Sequence, residues 1–377
     1  MYGAETMLLN LAVSLEAQGC QNVLAVFENQ HRPHTEVADC ARARGLAVQI
    51  VPCRGRMDGA AVARIRSLIR NDIDVVHTHG YKAAVYGYWA ARGLRVPLVA
   101  TCHNWADQAL HMQFYGLLDC LIMGRFQKVF AVSEPVAARL RRFVAVERIS
   151  VIANGIDVTQ FSNAVATLGD VLRPKPKRVV GMVGRLVVEK GPELFLRAAQ
   201  ELLPAYPDTL FVLVGEGPAR KHLEEMAQQM GIRERVIFAG ERRDMPGVYA
   251  SLDIMVLPSF NEGMPMTVLE AMAAGKAVVA SAVGAIPTAV IAGKTGLLVP
   301  PRDTTALSRA IGRLLASPEL ASDLGRAAQA HVARHFSAAA MAQEYLAAYS
   351  GLRLTAHASQ LQPATVGPRR AGNPRSA

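Results

Sequence analysis

The chain has 377 residues, 51% of them apolar, and a formal net charge of +10. That length suggests two domains or one large one, and the apolar share supports sizeable cores. Aromatics make up only 6% and no block of five Lys or Arg occurs, which argues against a nucleic-acid binder and leaves phosphorylated substrates or an anionic membrane surface as partners for the positive charge.

From the start, Leu8, Leu11, Ala12 and Leu15 give a helical period that Gly19 ends. Strand-like runs then alternate with helices. Strands are predicted at 23–27, 47–51, 74–77, 98–101, 128–132 and 149–152, and helices at 60–69, 83–91, 108–124 and 134–142. Continuous β-branched runs between helices indicate a parallel sheet covered on both faces. A doubly wound sheet normally opens on a strand that feeds the first glycine loop. Here Met1 sits almost on that loop, so we expect the first strand to be missing and the sheet to carry a hole.

Periodicity lapses over Asp157–Lys177, which holds Pro174 and Pro176. A second alternation follows, with strands at 178–183, 210–214, 236–238, 254–257, 277–280 and 297–300. Its helices are expected at 193–203, 219–230, 248–250, 304–316, 319–335 and 338–349. The expected division is residues 1–157 as a first Rossmann-like domain, 158–177 as linker and 178–335 as a second. A C-terminal helix over 336–350 and a disordered tail over 351–377 complete it. Two such domains make a cleft, where ligands bind. The five cysteines (Cys20, Cys40, Cys53, Cys102, Cys120) match no metal spacing and read as reduced thiols of a cytoplasmic protein. The longest uncharged run, Ala277–Gly293, contains Pro287 and two glycines and is too short to span a membrane.

The chemistry concentrates at Pro258–Gly275. After the apolar run Ile254–Leu257 comes a loop with Glu262, then a helix that Pro265 opens at its first position and Gly275 closes. Glu270 lies eight positions after Glu262, roughly 10 Å away at a helical rise. Between them is a helix N-terminus, which attracts anions. A nucleotide-sugar, with hydroxyls at both ends and phosphate between, fits that spacing. So does a plain strand–turn–helix with one capping and one solvated Glu. Arg185 and Lys190 stand five apart on a glycine-flanked loop, suited to a diphosphate or simply a solvated basic loop. Gly215 and Gly217 end the next strand, either as an ordinary turn or to let a ligand approach the backbone.

In order, Gly184-Arg185-Leu186, Glu189-Lys190-Gly191, Gly215-Glu216-Gly217-Pro218 and Glu262-Gly263-Met264-Pro265 with Leu269-Glu270-Ala271 resemble the retaining glycosyltransferases of family four, which have the two-domain GT-B fold. The resemblance implies that Arg185 and Lys190 bind the donor diphosphate, that Glu270 binds the ribose hydroxyls and that Glu262 contacts the donor sugar. Gly3-Ala4-Glu5 resembles the tail of the family's first glycine loop, which puts Gly3 beside the donor. His103 resembles a catalytic His that faces the transferred sugar. Its other reading is a structural His. No essential metal or cofactor is implied. Arg185, Lys190 and the N–H groups of Gly263 and Met264 would meet the leaving diphosphate instead. Asp72-x-Asp74 precedes a strand rather than following one and reads as a turn. His77 and His79 form a His-x-His at a strand end. Asn154–Asp157 resembles the interdomain junction.

The expected partners are a UDP- or GDP-linked donor and a glycan or lipid-linked acceptor. Arg64, Arg66 and Arg70 on one helix, and Arg139, Arg141 and Arg142 on another, could touch anionic lipid or be ordinary solvated faces. Two rival readings are a GT-B nucleotide-sugar epimerase or hydrolase and a non-catalytic nucleotide-sugar binder.

Overall fold

The computed structural model describes residues 3–30, 35–55, 57–70, 72–103, 122–173 and 176–358, with side chains through 352. The second domain is one parallel sheet of six strands: β7 (Arg178–Val183), β8 (Thr209–Val214), β9 (Val236–Gly240), β10 (Ile254–Leu257), β11 (Ala277–Ser281) and β12 (Leu297–Val299). Their spatial order is β12-β11-β10-β7-β8-β9. The order reverses between β7 and β10, and crevices at such a switch point hold ligands at the strands' carboxyl ends. All six residues of β8 are buried, as a strand covered on both faces requires.

The first domain repeats the order with an interruption. β1 (Val23–Asn29) pairs in parallel with β2 (Ala47–Cys53), while β3 (Val76–His79), β4 (Leu98–Cys102), β5 (Lys128–Ala131) and β6 (Ile149–Val151) form a separate parallel sheet. In the second domain β7 joins β8 to β10, and among the described residues no strand joins β1 to β3 in this way. In β1, buried Leu24 and Val26 alternate with exposed neighbours, so it is covered on one face only.

Some elements differ from the sequence expectations. An unpredicted helix, Glu36–Ala43, follows β1; it has only eight residues. The supposed linker contains a helix, Val158–Ser162, and a fully buried Leu168. The N–H groups of Thr167 and Leu168 both donate to Ser251 Oγ at 3.0 Å, which straps the segment to the second domain. The C-terminal helix runs Ala338–Ala358, so the expected disorder is wrong for 351–358; the rest of the tail lies outside the described residues, as does most of the helix expected at 108–124. Asp72 takes a left-handed φ of 58°, consistent with a turn.

After the second domain the chain returns to the first. Tyr345 and Tyr349 of the C-terminal helix reach the β3–β5 face, with the Tyr345 ring 4.8 Å from that of Phe130. One buried apolar cluster runs from Phe130 and Tyr345 through Ile156 and Met341 to Met264 and Leu269, so the domains share a core at their junction. Among the described residues no helix is long and apolar enough to cross a membrane.

Candidate active site

The loops after β7 and β10 flank the switch point, and they carry the predicted donor residues. Gly191 adopts φ 69°, and a Cβ there would lie 2.2 Å from Pro258 O, so only glycine lets these loops close on each other. Phe260 N donates to Glu189 O at 2.8 Å across the same seam. Lys190 Nζ thereby reaches Glu262 Oε1 at 2.5 Å, and Ser259 Oγ donates to the same oxygen at 2.7 Å. Glu262 Oε2 makes no hydrogen bond among the described residues and remains the face open to a ligand. Glu262 is only 7% exposed, and a carboxylate that buried needs the partners it has. Arg185, exposed on the neighbouring loop, makes no ion pair among the described residues. An exposed guanidinium on the same loop as Lys190 can take up a diphosphate without breaking a salt bridge of its own.

Glu270 lies inside the helix Met266–Ala273, which Pro265 caps rather than opens, a one-residue shift. Gly275 follows with φ 68°, the left-handed stop expected. Burial pushes the Glu270 carboxyl up to about 7, although Tyr249 OH donates to its Oε2 at 2.8 Å and works the other way. Burial also holds the Tyr249 hydroxyl well above its usual range, so it stays a donor. Tyr249 was not legible as a site residue: it sits 21 positions away in a short apolar helix and reads as core.

Gly215 and Gly217 serve loop packing. A Cβ on Gly215 would lie 2.1 Å from Gly184 O, and one on Gly217 would lie 2.3 Å from Leu186 O. The close approach at both positions is made by protein backbone. Gly263 O accepts from Ala285 N at 2.9 Å, and Met264 O accepts from Asn154 Nδ2 at 2.9 Å. Gly3 begins the first-domain helix Gly3–Ala17, and a Cβ there would lie 3.3 Å from Met266 Cγ. Two helix N-termini, one from each domain, therefore converge beside the Glu262 loop.

Gly284 was also missed. Its φ is 56°, and a Cβ would lie 1.9 Å from Glu262 O. Gly284→Ala should cost about 1–2 kcal/mol in backbone strain before the clash is counted. The Glu262 loop must then move. We expect Tm to fall by several degrees and turnover to fall more than about 10-fold, on the order of a misplaced catalytic group. Melting curves and steady-state kinetics on the purified variant check this.

His103 follows β4 and stands in a histidine cluster. Its Nε2 is 3.0 Å from His79 Nδ1, and its Nδ1 is buried with no partner among the described residues. His77 is bonded to Tyr349 OH (2.6 Å) and Thr101 Oγ1 (2.8 Å). Burial pushes His103 down to about 4 and His77 to about 3, and holds His79 well below its usual value. All three rings are neutral at pH 7, so one of the His79–His103 pair donates and the other accepts. No hydrogen bond among the described residues joins this cluster to Glu262 or Glu270. Of the basic helix faces, Arg66 NH1 turns to Ala90 O and Arg92 O (2.9 and 2.6 Å) and Arg141 pairs with Glu134. Arg66 is thus held by the protein's own backbone, and the charge of Arg141 is offset by Glu134.

Two doubly wound domains, with Lys190, Arg185 and the buried Glu262 on the loops that flank the second domain's switch point, define a GT-B glycosyltransferase. The family profile described as "Glycosyl transferases group 1" matches residues 168–331, and that of "Glycosyltransferase Family 4" matches residues 1–160. The chain belongs to the family-four glycosyltransferases. It is similar to D-inositol 3-phosphate glycosyltransferase of Corynebacterium jeikeium, at 29% identity over 96% of this chain and 94% of that one. The protein of the same name from Corynebacterium glutamicum is 32% identical over 74% of this chain and 72% of its own. In fold it is similar to Anabaena HepE, solved with UDP-glucose, with a TM-score of 0.81 and 22% identity over 93% of this chain and 96% of that one.

Proposed function

We propose that this glycosyltransferase moves a hexose-type sugar from a UDP- or GDP-sugar to a glycan or lipid-linked acceptor, with retention of anomeric configuration and without an essential metal. The observation that carries this reading is the grouping of Arg185, Lys190 and Glu262 on the two loops flanking the switch point. Glu270 follows one turn into the next helix. Arg185 and Lys190 meet the diphosphate, and Lys190, with three donors, bridges it to Glu262. The free Oε2 of Glu262 takes a sugar hydroxyl, and Glu270 takes the ribose. The sugar's C1–O bond to phosphate breaks, the acceptor oxygen bonds C1 on the same face, and the departing phosphate receives the acceptor's proton. His103 borders the transferred sugar.

The acceptor in the names of the relatives makes a phosphorylated cyclitol a further acceptor to test. Work at the inner face of a membrane, in surface polysaccharide or glycolipid synthesis, fits the net charge. The test is a panel of UDP- and GDP-sugars, each with cyclitol phosphate, glycan and lipid-linked acceptors. Nucleoside diphosphate release and the product's anomeric proton signal are followed. One donor should give acceptor-dependent release and an axial or equatorial bond matching its own. Release or inversion of a sugar centre without any acceptor would favour the epimerase or hydrolase reading. Binding without turnover would favour the non-catalytic one.

A further inference from the structure

The chain crosses from the first domain to the second at Asn154–Asp157 and crosses back near Phe336–Ala338. These crossings form one joint. Ile156 N donates to Phe336 O at 2.8 Å, and Ala338 N donates to Ile156 O at 2.9 Å. Gly155 admits no side chain, because a Cβ would lie 2.7 Å from Ser337 O and 2.8 Å from Ala338 Cα.

Asn154 leaves the joint toward the donor loop. Its Nδ2 donates to Met264 O, while Ala285 N holds the preceding carbonyl, Gly263 O. A trans peptide points its N–H opposite its C=O. Anchoring the Gly263 carbonyl on Ala285 therefore aims Met264 N–H to the other side. Asn154 fixes the next peptide from the opposite domain. Asn154 is 4% exposed, yet its Oδ1 has no partner among the described residues. A purely structural amide would not leave an acceptor buried and unsatisfied. We propose that Asn154 is a positioning residue that couples the interdomain joint to the Glu262–Met264 loop, so that the loop's N–H groups are aimed when the cleft is closed. This rests on the donor-site reading above.

The test compares Asn154→Asp and Asn154→Ala with wild type from pH 8 to pH 6, at saturating donor, by nucleoside diphosphate release. The carboxylate that Asn154→Asp introduces would oppose Met264 O when ionised, whereas when protonated it can donate to it. Burial at this position raises the pKa of that carboxyl above the usual carboxylate range. The Asp variant should turn over at least about 10-fold slower than wild type at pH 8, and its ratio to wild type should rise several-fold toward pH 6. The Ala variant should be slowed by a constant factor at every pH. Both should still bind UDP or GDP in a titration at pH 8. Wild-type turnover in both variants would overturn the proposal, and so would an Asp deficit that ignores pH. If the Asp variant fails to fold, full turnover in the Ala variant still overturns it and a pH-independent slowing supports it. A wild-type protein that releases no nucleoside diphosphate from any donor would instead remove the donor-site reading and this inference with it.

Discussion

Glu262→Ala should lower turnover by about 100-fold or more, the scale of losing one preorganised group that acts on the transition state. Donor KM should stay within about threefold of wild type, because a contact strengthened only in the transition state lowers turnover without weakening ground-state binding. The basis is the one-sided anchoring of this carboxylate. Lys190 and Ser259 both hold Oε1, which leaves Oε2 in a fixed position at the carboxyl end of β10. The alanine variant also leaves Lys190 without its partner, so Glu262→Gln is the companion. It keeps the shape and can still accept from Ser259, and should recover part of the loss. Steady-state nucleoside diphosphate release, with donor varied, gives both constants.

Glu270→Ala should do the reverse and raise donor KM about 10- to 100-fold, the loss expected when hydrogen bonds to a charged group disappear. Its pH dependence follows from burial. The free protein holds this carboxyl up near 7, so about half is protonated at neutral pH. The proposed ribose hydroxyls would donate more strongly to the ionised form, which accepts at both oxygens, than to the protonated one. Donor binding therefore releases a proton, and wild-type donor KM should rise as pH falls through about 7. The stability effect has the opposite sign. In the unfolded chain the carboxyl ionises near 4.5, and in the folded chain near 7. The folded state is thus favoured at low pH, and that advantage is lost between these values as pH rises. The full difference is on the order of 3 kcal/mol. Glu270→Gln should be more stable than wild type at pH 8, with a donor KM that no longer varies around pH 7. A melting curve and a KM series over pH 6 to 8 measure the two effects. A donor KM independent of pH in the wild type would contradict the assignment.

The second domain's fold and the placement of its candidate residues were legible because their signals are local. Runs such as Leu210–Val214 are apolar throughout, so a doubly covered strand follows from composition alone. Arg185, Lys190, Glu262 and Glu270 lie within short loop-to-helix segments, where spacing fixes placement. What the sequence hid depends on distant contacts. Tyr249 meets Glu270 from a helix that looks like core. Asn154 meets Met264 across 110 positions. Gly284 resembles any turn glycine until the backbone of Glu262 is seen beside it. His79 was noticed, but its bond to His103 depends on β3 and β4 being neighbours in register, His79 opposite Thr101. The Glu36–Ala43 helix is too short for periodicity to register. The C-terminal helix continued past Ser350 because no helix-breaking residue other than Gly351 interrupts it before Ala358, and polar composition alone does not end a helix.

The central claim is that two buried glutamates hold opposite ends of one donor, one acting on binding and the other on turnover. Donor saturation curves for wild type, Glu262→Ala and Glu270→Ala, run side by side at pH 8, test it most directly. The predicted result is a split: Glu262→Ala moves kcat and Glu270→Ala moves KM. Both variants changing the same constant, or neither changing any, would contradict it.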